Sequence, residues 1–371
     1  MHDLSQQLLI DLQLGSIYAL IALGYTMVYG VLKLINFAHG DVYMVGAYAG
    51  LGAANIGMAT VVGGGLAAFL HARTLVPSWL GAILVLLAAM LLCALLGLVI
   101  EQAAYRPLRT RAWIAPAVFL GAAAGYVAYE IALNSDRTPA SSVAIGLVAW
   151  VGLGALLYTT QRRRTPGSAS RLTALITAIG VSLFIENFGV LKQIFSSDPR
   201  FFPPLVSLSP TVENVLIFGV SLTLMIALTY IVTRTRVGKA IRAVSFDADA
   251  AALMGINTDR VIAFTFMLGA SLAGAAGVLV FGLQHTHFDP YVGILYGLKA
   301  FVAAVLGGIG NIPGAVLGGL IMGIAETLVV AYGPRIGVDS TYRDAVAFLL
   351  LIVILLLRPA GLLGTFAPEK V

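Results

Sequence analysis

Four stretches of this chain, residues 12–32, 75–100, 261–284 and 300–325, contain no charged side chain at all. Each matches or exceeds the roughly 20 residues an α-helix needs to cross the hydrocarbon of a bilayer. Inside hydrocarbon every backbone N–H and C=O must find a partner within the protein, and a helix satisfies them within the segment itself. The composition extends this to the whole chain: 59% of its 371 residues are hydrophobic and only 11% charged, against roughly 25% charged in soluble domains. An all-α, polytopic transmembrane helical bundle is the fold class this predicts, as one integral-membrane domain over 1–371. The length allows roughly eight to eleven crossings, and the pattern reads as about ten.

Net charge is +5, but the basic residues gather at span ends and form no groove or tract. That placement orients helices in a bilayer and argues against nucleic-acid binding. The single cysteine, Cys93, lies within an apolar run, so there is no disulfide framework and packing is its expected role. The opening MHDLSQQ lacks the positive n-region of a cleaved signal peptide.

The longest polar interruption in the second half is RTRVGKAIRAVSFDADAAALMGINTDR, residues 234–260. Its basic residues (Arg234, Arg236, Lys239, Arg242, Arg260) outnumber its acids (Asp247, Asp249, Asp259), an excess that keeps short loops on the cytoplasmic side. Ser245 reads as the N-cap of a helix about nine residues long, with Asp247 in its first turn and Gly255 as its stop. Ala248, Ala251, Ala252 and Gly255 then form one stripe of minimal side chains that lets a partner approach closely. The plainer reading is a solvated loop whose charge only sets topology.

Other polar groups lie inside apolar surroundings. Asn36, His39 and Asp41 stand near the start of the second hydrophobic stretch, and Glu186 lies within 172–194. Polar groups at membrane depth need partners or a water-filled cavity; the alternative for each is a wet, interfacial position. The run 300–325 is interrupted by GGIGNIPG, where Gly310, Asn311, Pro313 and Gly314 break the helix and place the segment either against a transport path or in simple packing. Gly46 and Gly50 form a G-x-x-x-G pair suited to close helix contact. Residues 113–133 and 138–160 form a hairpin bracketed by Arg109 and Arg111 before and Arg162, Arg163 and Arg164 after, so both its ends stay inside. The proline-rich 196–210 and the turn 285–290 read as external loops. Two histidines at i and i+2 in that turn, His285 and His287, lack further ligands nearby, and neither a metal nor a cofactor is expected.

No phosphate-binding G-x-x-x-x-G-K-[ST], no H-E-x-x-H and no G-x-S-x-G occurs. The chain is not expected to be an enzyme, and any ATP that drives it is hydrolysed by another chain.

The blocks GSIYALIALGYTMVYGVLKLINFAHGDVYMVGAY, EQAAYRPLR, TALITAIGVSLF, ALMGINTDRVIAFTF, LKAFVAAVLGGIGNIPGAVLGGLIMGIAE and RPAGLLG together resemble the permeases of branched-chain amino acid ABC importers, the H-type subunit of the Liv system, over nearly the whole chain. The resemblance implies a multi-pass protein of the bacterial inner membrane that works with a second homologous permease, two ATP-binding subunits and a periplasmic amino-acid-binding protein, for leucine, isoleucine or valine. It places the ATPase contact on the segment holding Arg236, Gly238, Arg242, Asp247, Ala251, Ala252, Gly255 and Asn257. It makes the blocks around Asn36 to Asp41 and Gly310 to Gly314 signatures of the family. One departure is an extra transmembrane hairpin over 112–170 between YRPLR and ALITAIG, which puts partner spacing on that flank in doubt. The same machine for urea, short amides or other amino acids is an alternative, as is a self-sufficient channel or a proton-coupled carrier using Glu186.

Overall fold

The computed structural model describes residues 2–59, 78–109, 125–126, 128–129, 139–162, 171–190, 195, 198–202, 205, 208–284, 287–337 and 339–364. The described residues are almost entirely helical: α1 (His2–Leu32), α2 (His39–Ala59), α3 (Ser78–Ile100), α4 (Arg106–Arg109), α5 (Pro139–Arg162), α6 (Arg171–Gly189), α7 (Pro210–Arg234), α8 (Arg236–Phe246), α9 (Ala248–Leu253), α10 (Thr258–Gln284), α11 (Val292–Gly307), α12 (Ile312–Tyr332) and α13 (Arg343–Leu357). Among them Gln6–Leu32, Trp79–Arg109, Pro210–Arg234, Thr258–Leu283 and Ile312–Tyr332 are long and apolar enough to span a bilayer.

The chain divides into two compact units, Met1–Gly97 with Ser182–Val371, and Leu98–Val181. In the smaller unit the helical path continues past Ile100 through a π-turn, Glu101–Tyr105, into α4. Glu101, the first charged residue after the uncharged run 75–100, is buried and paired with Arg109. A buried carboxylate needs such a partner, which is why the helix does not stop there. Of the expected hairpin, α5 is described, while the first arm lies largely outside the described residues.

Glycine contacts hold the larger unit together. Lipid tails are as apolar as leucine, so packing between helices depends on how closely backbones can approach. Gly15 sits against Leu320 of α12, Gly319 against Ala19, and Gly323 against Gly15, with no room for a Cβ at any of the three. The Gly46–Gly50 pair meets α10, Gly46 on the backbone of Gly274 and Gly50 on the side chain of Val278. Cys93 packs beside Gly274 and is fully buried. A short antiparallel ribbon joins β1 (Arg200–Phe201) to β2 (His287–Phe288), pairing Arg200 with Phe288 and Phe201 with His287.

Two sequence expectations differ from the structure. The GGIGNIPG motif does not interrupt one span; it is the turn of a helical hairpin between α11 and α12. Gly307 lies on Gly314 and Gly318 on Ala303, an antiparallel order, and Gly308 (φ 102°) and Gly310 (φ 94°) take backbone angles open to glycine. Asn311 caps α12 by accepting the Gly314 N–H at 3.2 Å, and its amide donates to the Leu363 carbonyl at 2.7 Å. Pro313 stands in the first turn, where its missing N–H costs nothing.

The second correction concerns 234–260, which is not a loop with one helix. Thr235 caps α8 by accepting the Gly238 N–H, so the segment is helical from Arg236. Ser245 lies inside α8 and is no cap. Asp247 takes that role, accepting from Asp249 N–H at 3.0 Å and Ala250 N–H at 2.9 Å. The resulting α9 has six residues rather than about nine. Gly255, at φ 85°, ends it as expected: the Ile256 N–H reaches the Ala251 carbonyl and the Gly255 N–H that of Ala252, the paired closure of a helix on a left-handed glycine.

Candidate functional site

The first place of interest is the α8–α9 elbow. Gly238 packs on the carbonyls of Ile231 and Val232 at the end of α7, and Arg242 donates to the Val232 carbonyl. These contacts fold α8 back on α7 with Gly238, Ile241 and Val244 buried. Ser245 Oγ donates to the Gly30 carbonyl of α1 at 2.6 Å. Asn257 receives the Arg260 N–H at 3.0 Å and starts α10. With both ends pinned, three large apolar side chains stay in the open: Phe246 at 95%, Leu253 at 89% and Met254 at 84% exposure. Ala251 is 4% exposed. The alanine stripe therefore divides: Ala251 faces the chain's own body, Ala248, Ala252 and Gly255 face out, and the prominent surface belongs to the large apolar residues beside them.

Asn36, His39 and Asp41 form a second place. All three are buried, at 3%, 2% and 1% exposure, which answers the open choice in favour of interior positions. Lys33, with φ 56°, ends α1, and its ammonium returns to the Gly30 carbonyl at 2.9 Å. The chain then turns back beside α1, so that His39 lies against Gly24. Gly24 is nine residues before Lys33, about 13 Å of helix at ~1.5 Å per residue. Backbone without helical pairing at that depth is tolerated because protein surrounds it. The His39 ring packs edge-on to Tyr25 at 4.8 Å, and Gly40 touches Gly293 and Gly297 of α11. Asp41 accepts from Ser182 Oγ at 2.5 Å. Glu186 stands one turn further along α6 than Ser182, the residue whose hydroxyl Asp41 receives. Asp41 and Glu186 thus share a neighbourhood, whereas Gly310 to Gly314 lie at the far end of α11, where Gly310 adjoins Tyr29 and Gly30.

A third place has no counterpart among the residues singled out from sequence. Lys299 of α11, only 3% exposed, bonds Glu326 of α12 at 2.7 Å and Asp344 of α13 at 2.6 Å. Tyr18 of α1 donates to the other Glu326 oxygen at 2.6 Å, and the Lys299 ammonium lies 5.9 Å from the Tyr18 ring centre. Arg343 completes the group, its Nε 3.8 Å from Glu326 and 3.6 Å from Asp344. Two cations and two carboxylates leave it neutral, which is what burial demands. Aromatic rings extend it inward, with Tyr296 stacked on Tyr43 at 5.1 Å and Phe281 tilted against Tyr43 at 5.9 Å. The signal was present: Lys299 and Glu326 bound the uncharged run 300–325. Read in one dimension they look like the polar ends of a span; the hairpin brings them together.

Comparison with known proteins fits this architecture. Residues 8–355 match the family model described as branched-chain amino acid transport system / permease component. The chain is 36% identical to the high-affinity branched-chain amino acid transport system permease protein LivH of Salmonella typhimurium, over 99% of this chain and 97% of that one. It is 37% identical to the corresponding permease protein BraD of Pseudomonas aeruginosa, again over 99% and 97%. Among solved structures, PsaBC from Streptococcus pneumoniae in complex with Fab is similar at 13% identity and a TM-score of 0.39, covering 97% of this chain and 93% of that chain. By the family model and by identity over nearly its full length, this chain belongs to the branched-chain amino acid transport permeases, as a transmembrane permease component of an ABC transporter.

Proposed function

We propose that the chain forms half of the translocation path of an ATP-driven importer for leucine, isoleucine and valine in a bacterial inner membrane. Its partners on this reading are a second homologous permease, two ATP-binding subunits and a periplasmic amino-acid-binding protein. The observation that carries the coupling role is the trio Phe246, Leu253 and Met254, almost fully exposed at a basic end of the bundle. Large apolar groups left in water at one spot call for a protein surface to cover them. The ATP-binding subunit is the occupant this reading assigns to it.

The elbow is joined to α7 by Gly238 and Arg242 and to α1 by Ser245. A push on α9 therefore passes directly to two membrane helices. If the basic elbow is cytoplasmic, as the positive-inside rule requires, α1 ends on that side at Lys33 and its N-terminus lies outside. The 112–170 hairpin, with both ends basic, keeps the orientation of everything after it.

The test is uptake of labelled leucine by the assembled complex in vesicles. Phe246→Asp and Leu253→Asp should leave the permease in the membrane but release the ATP-binding subunits and abolish uptake. Leucine accumulation by this chain alone, without an ATPase, would falsify the reading.

A further inference from the structure

At the end of α12 remote from the elbow, a cleft of about 330 Å³ is lined by Val330, Thr341, Arg343 and Asp344. Its volume falls in the range of small-molecule sites, roughly 300–1,000 Å³. Gly310, in the turn of the α11–α12 hairpin, adjoins Gly30, to which Ser245 of the elbow is bonded. The Tyr332–Arg343 end is therefore the opposite end of the bundle, where solute would enter on the reading above.

The cleft presents one cation and one anion side by side next to Val330. Arg343 is 53% and Asp344 38% exposed in their side chains, while the Lys299 and Glu326 beneath them are 3% and 4% exposed. Both contacts of the Arg343 Nε, at 3.8 and 3.6 Å, are longer than a hydrogen bond. They leave the guanidinium fork uncommitted to either carboxylate, and that fork matches a carboxylate in two-pronged fashion. Asp344 has one oxygen on Lys299 at 2.6 Å, and a carboxylate accepts further donors. Val330, at 42% exposure, supplies the apolar surface.

We propose that this cleft is an entry station for a zwitterionic α-amino acid with an aliphatic side chain. Arg343 takes the α-carboxylate, Asp344 the α-ammonium, and Val330 packs on the side chain. The aliphatic preference rests on the importer function proposed above; the zwitterion recognition rests on the cleft alone.

Purified full-length chain tests it by ligand-observed NMR with leucine, 4-methylpentanoate and isoamylamine, the latter two each lacking one charge. Leucine should bind and the single-charge analogues should bind at least tenfold more weakly. Arg343→Gln and Asp344→Asn should each weaken leucine binding by about tenfold or more, the scale of one charge-assisted hydrogen bond. Neither change strips Lys299 of Glu326, so both variants should stay monodisperse. Equal leucine binding by parent and variants, or none by the parent, overturns the station. Leucine uptake by the assembled importer is read separately. If leucine is not transported while another aliphatic α-amino acid binds the parent and is lost in the variants, the station stands and the branched-chain assignment falls.

Discussion

Ser245 and Gly30, 215 positions apart, are joined by a hydrogen bond of 2.6 Å from the serine hydroxyl to the glycine carbonyl. Gly30 lies in the last turn of α1, a carbonyl with no helical partner of its own, and Ser245 lies in the last turn of α8. The bond fastens the elbow to the membrane helix that packs against α7, α10, α11 and α12. Ser245→Ala should cost only ~1 kcal/mol of stability, the net worth of one hydrogen bond. Its larger effect should be on coupling: ATP hydrolysis by the complex persists while leucine moved per ATP drops. An unchanged ratio in reconstituted vesicles would show that force takes another route.

Ala251 and Ala252, neighbours in sequence, should respond in opposite ways to the same substitution. Ala251 is buried and Ala252 exposed, so Ala251→Arg drives a long charged chain into packed atoms at a cost of ~1–3 kcal/mol or more, whereas Ala252→Arg should leave the elbow folded. Hydrogen exchange of residues 247–256 separates them: faster exchange in the first variant, parent-like protection in the second. Both should weaken capture of an ATP-binding subunit, the first by unfolding the surface and the second by obstructing it.

Removing one member of the Lys299–Glu326 pair should be worse than removing both. Lys299→Met leaves a carboxylate facing Tyr18 with no buried cation, and breaking such a pair costs ~3–5 kcal/mol. The double variant Lys299→Met with Glu326→Gln removes both charges and should recover a large part of that loss. Thermal unfolding of the parent, the single variants Lys299→Met and Glu326→Gln, and the double variant in detergent gives the cycle. Additive losses would mean that the two groups are not coupled as the 2.7 Å contact requires.

Gly15 and Gly323 touch where α1 crosses α12, with no space for a Cβ at Gly323. Gly323→Val should lower stability by ~1–3 kcal/mol through overpacking, and Gly219→Val less, because a Cβ there meets nothing within 4 Å. Midpoints of thermal unfolding compare them, and equal losses would contradict the close approach of these two helices.

What the amino-acid order determined by itself was the part that follows from local chemistry alone. Uncharged runs marked α1, α3, α10 and the α11–α12 region, because hydrocarbon rejects charge wherever it occurs along the chain. Gly255 announced the end of α9, since only glycine enters a left-handed closure without cost. Glycine spacing announced close contacts at Gly46 and Gly50, but not that Gly274 and Val278 would meet them.

Tertiary structure decided the rest, because its causes are contacts between residues remote in sequence. Asp247 rather than Ser245 caps α9, since the serine hydroxyl is committed to Gly30 on another helix. The GGIGNIPG motif became a hairpin turn because Gly307, Gly314 and Gly318 let α11 and α12 lie backbone to backbone. That same turn brought Lys299 to Glu326, converting two apparent span ends into the centre of a buried ion network. A charge's position along a chain states its cost in the membrane, and only the folded arrangement supplies the partner that offsets it.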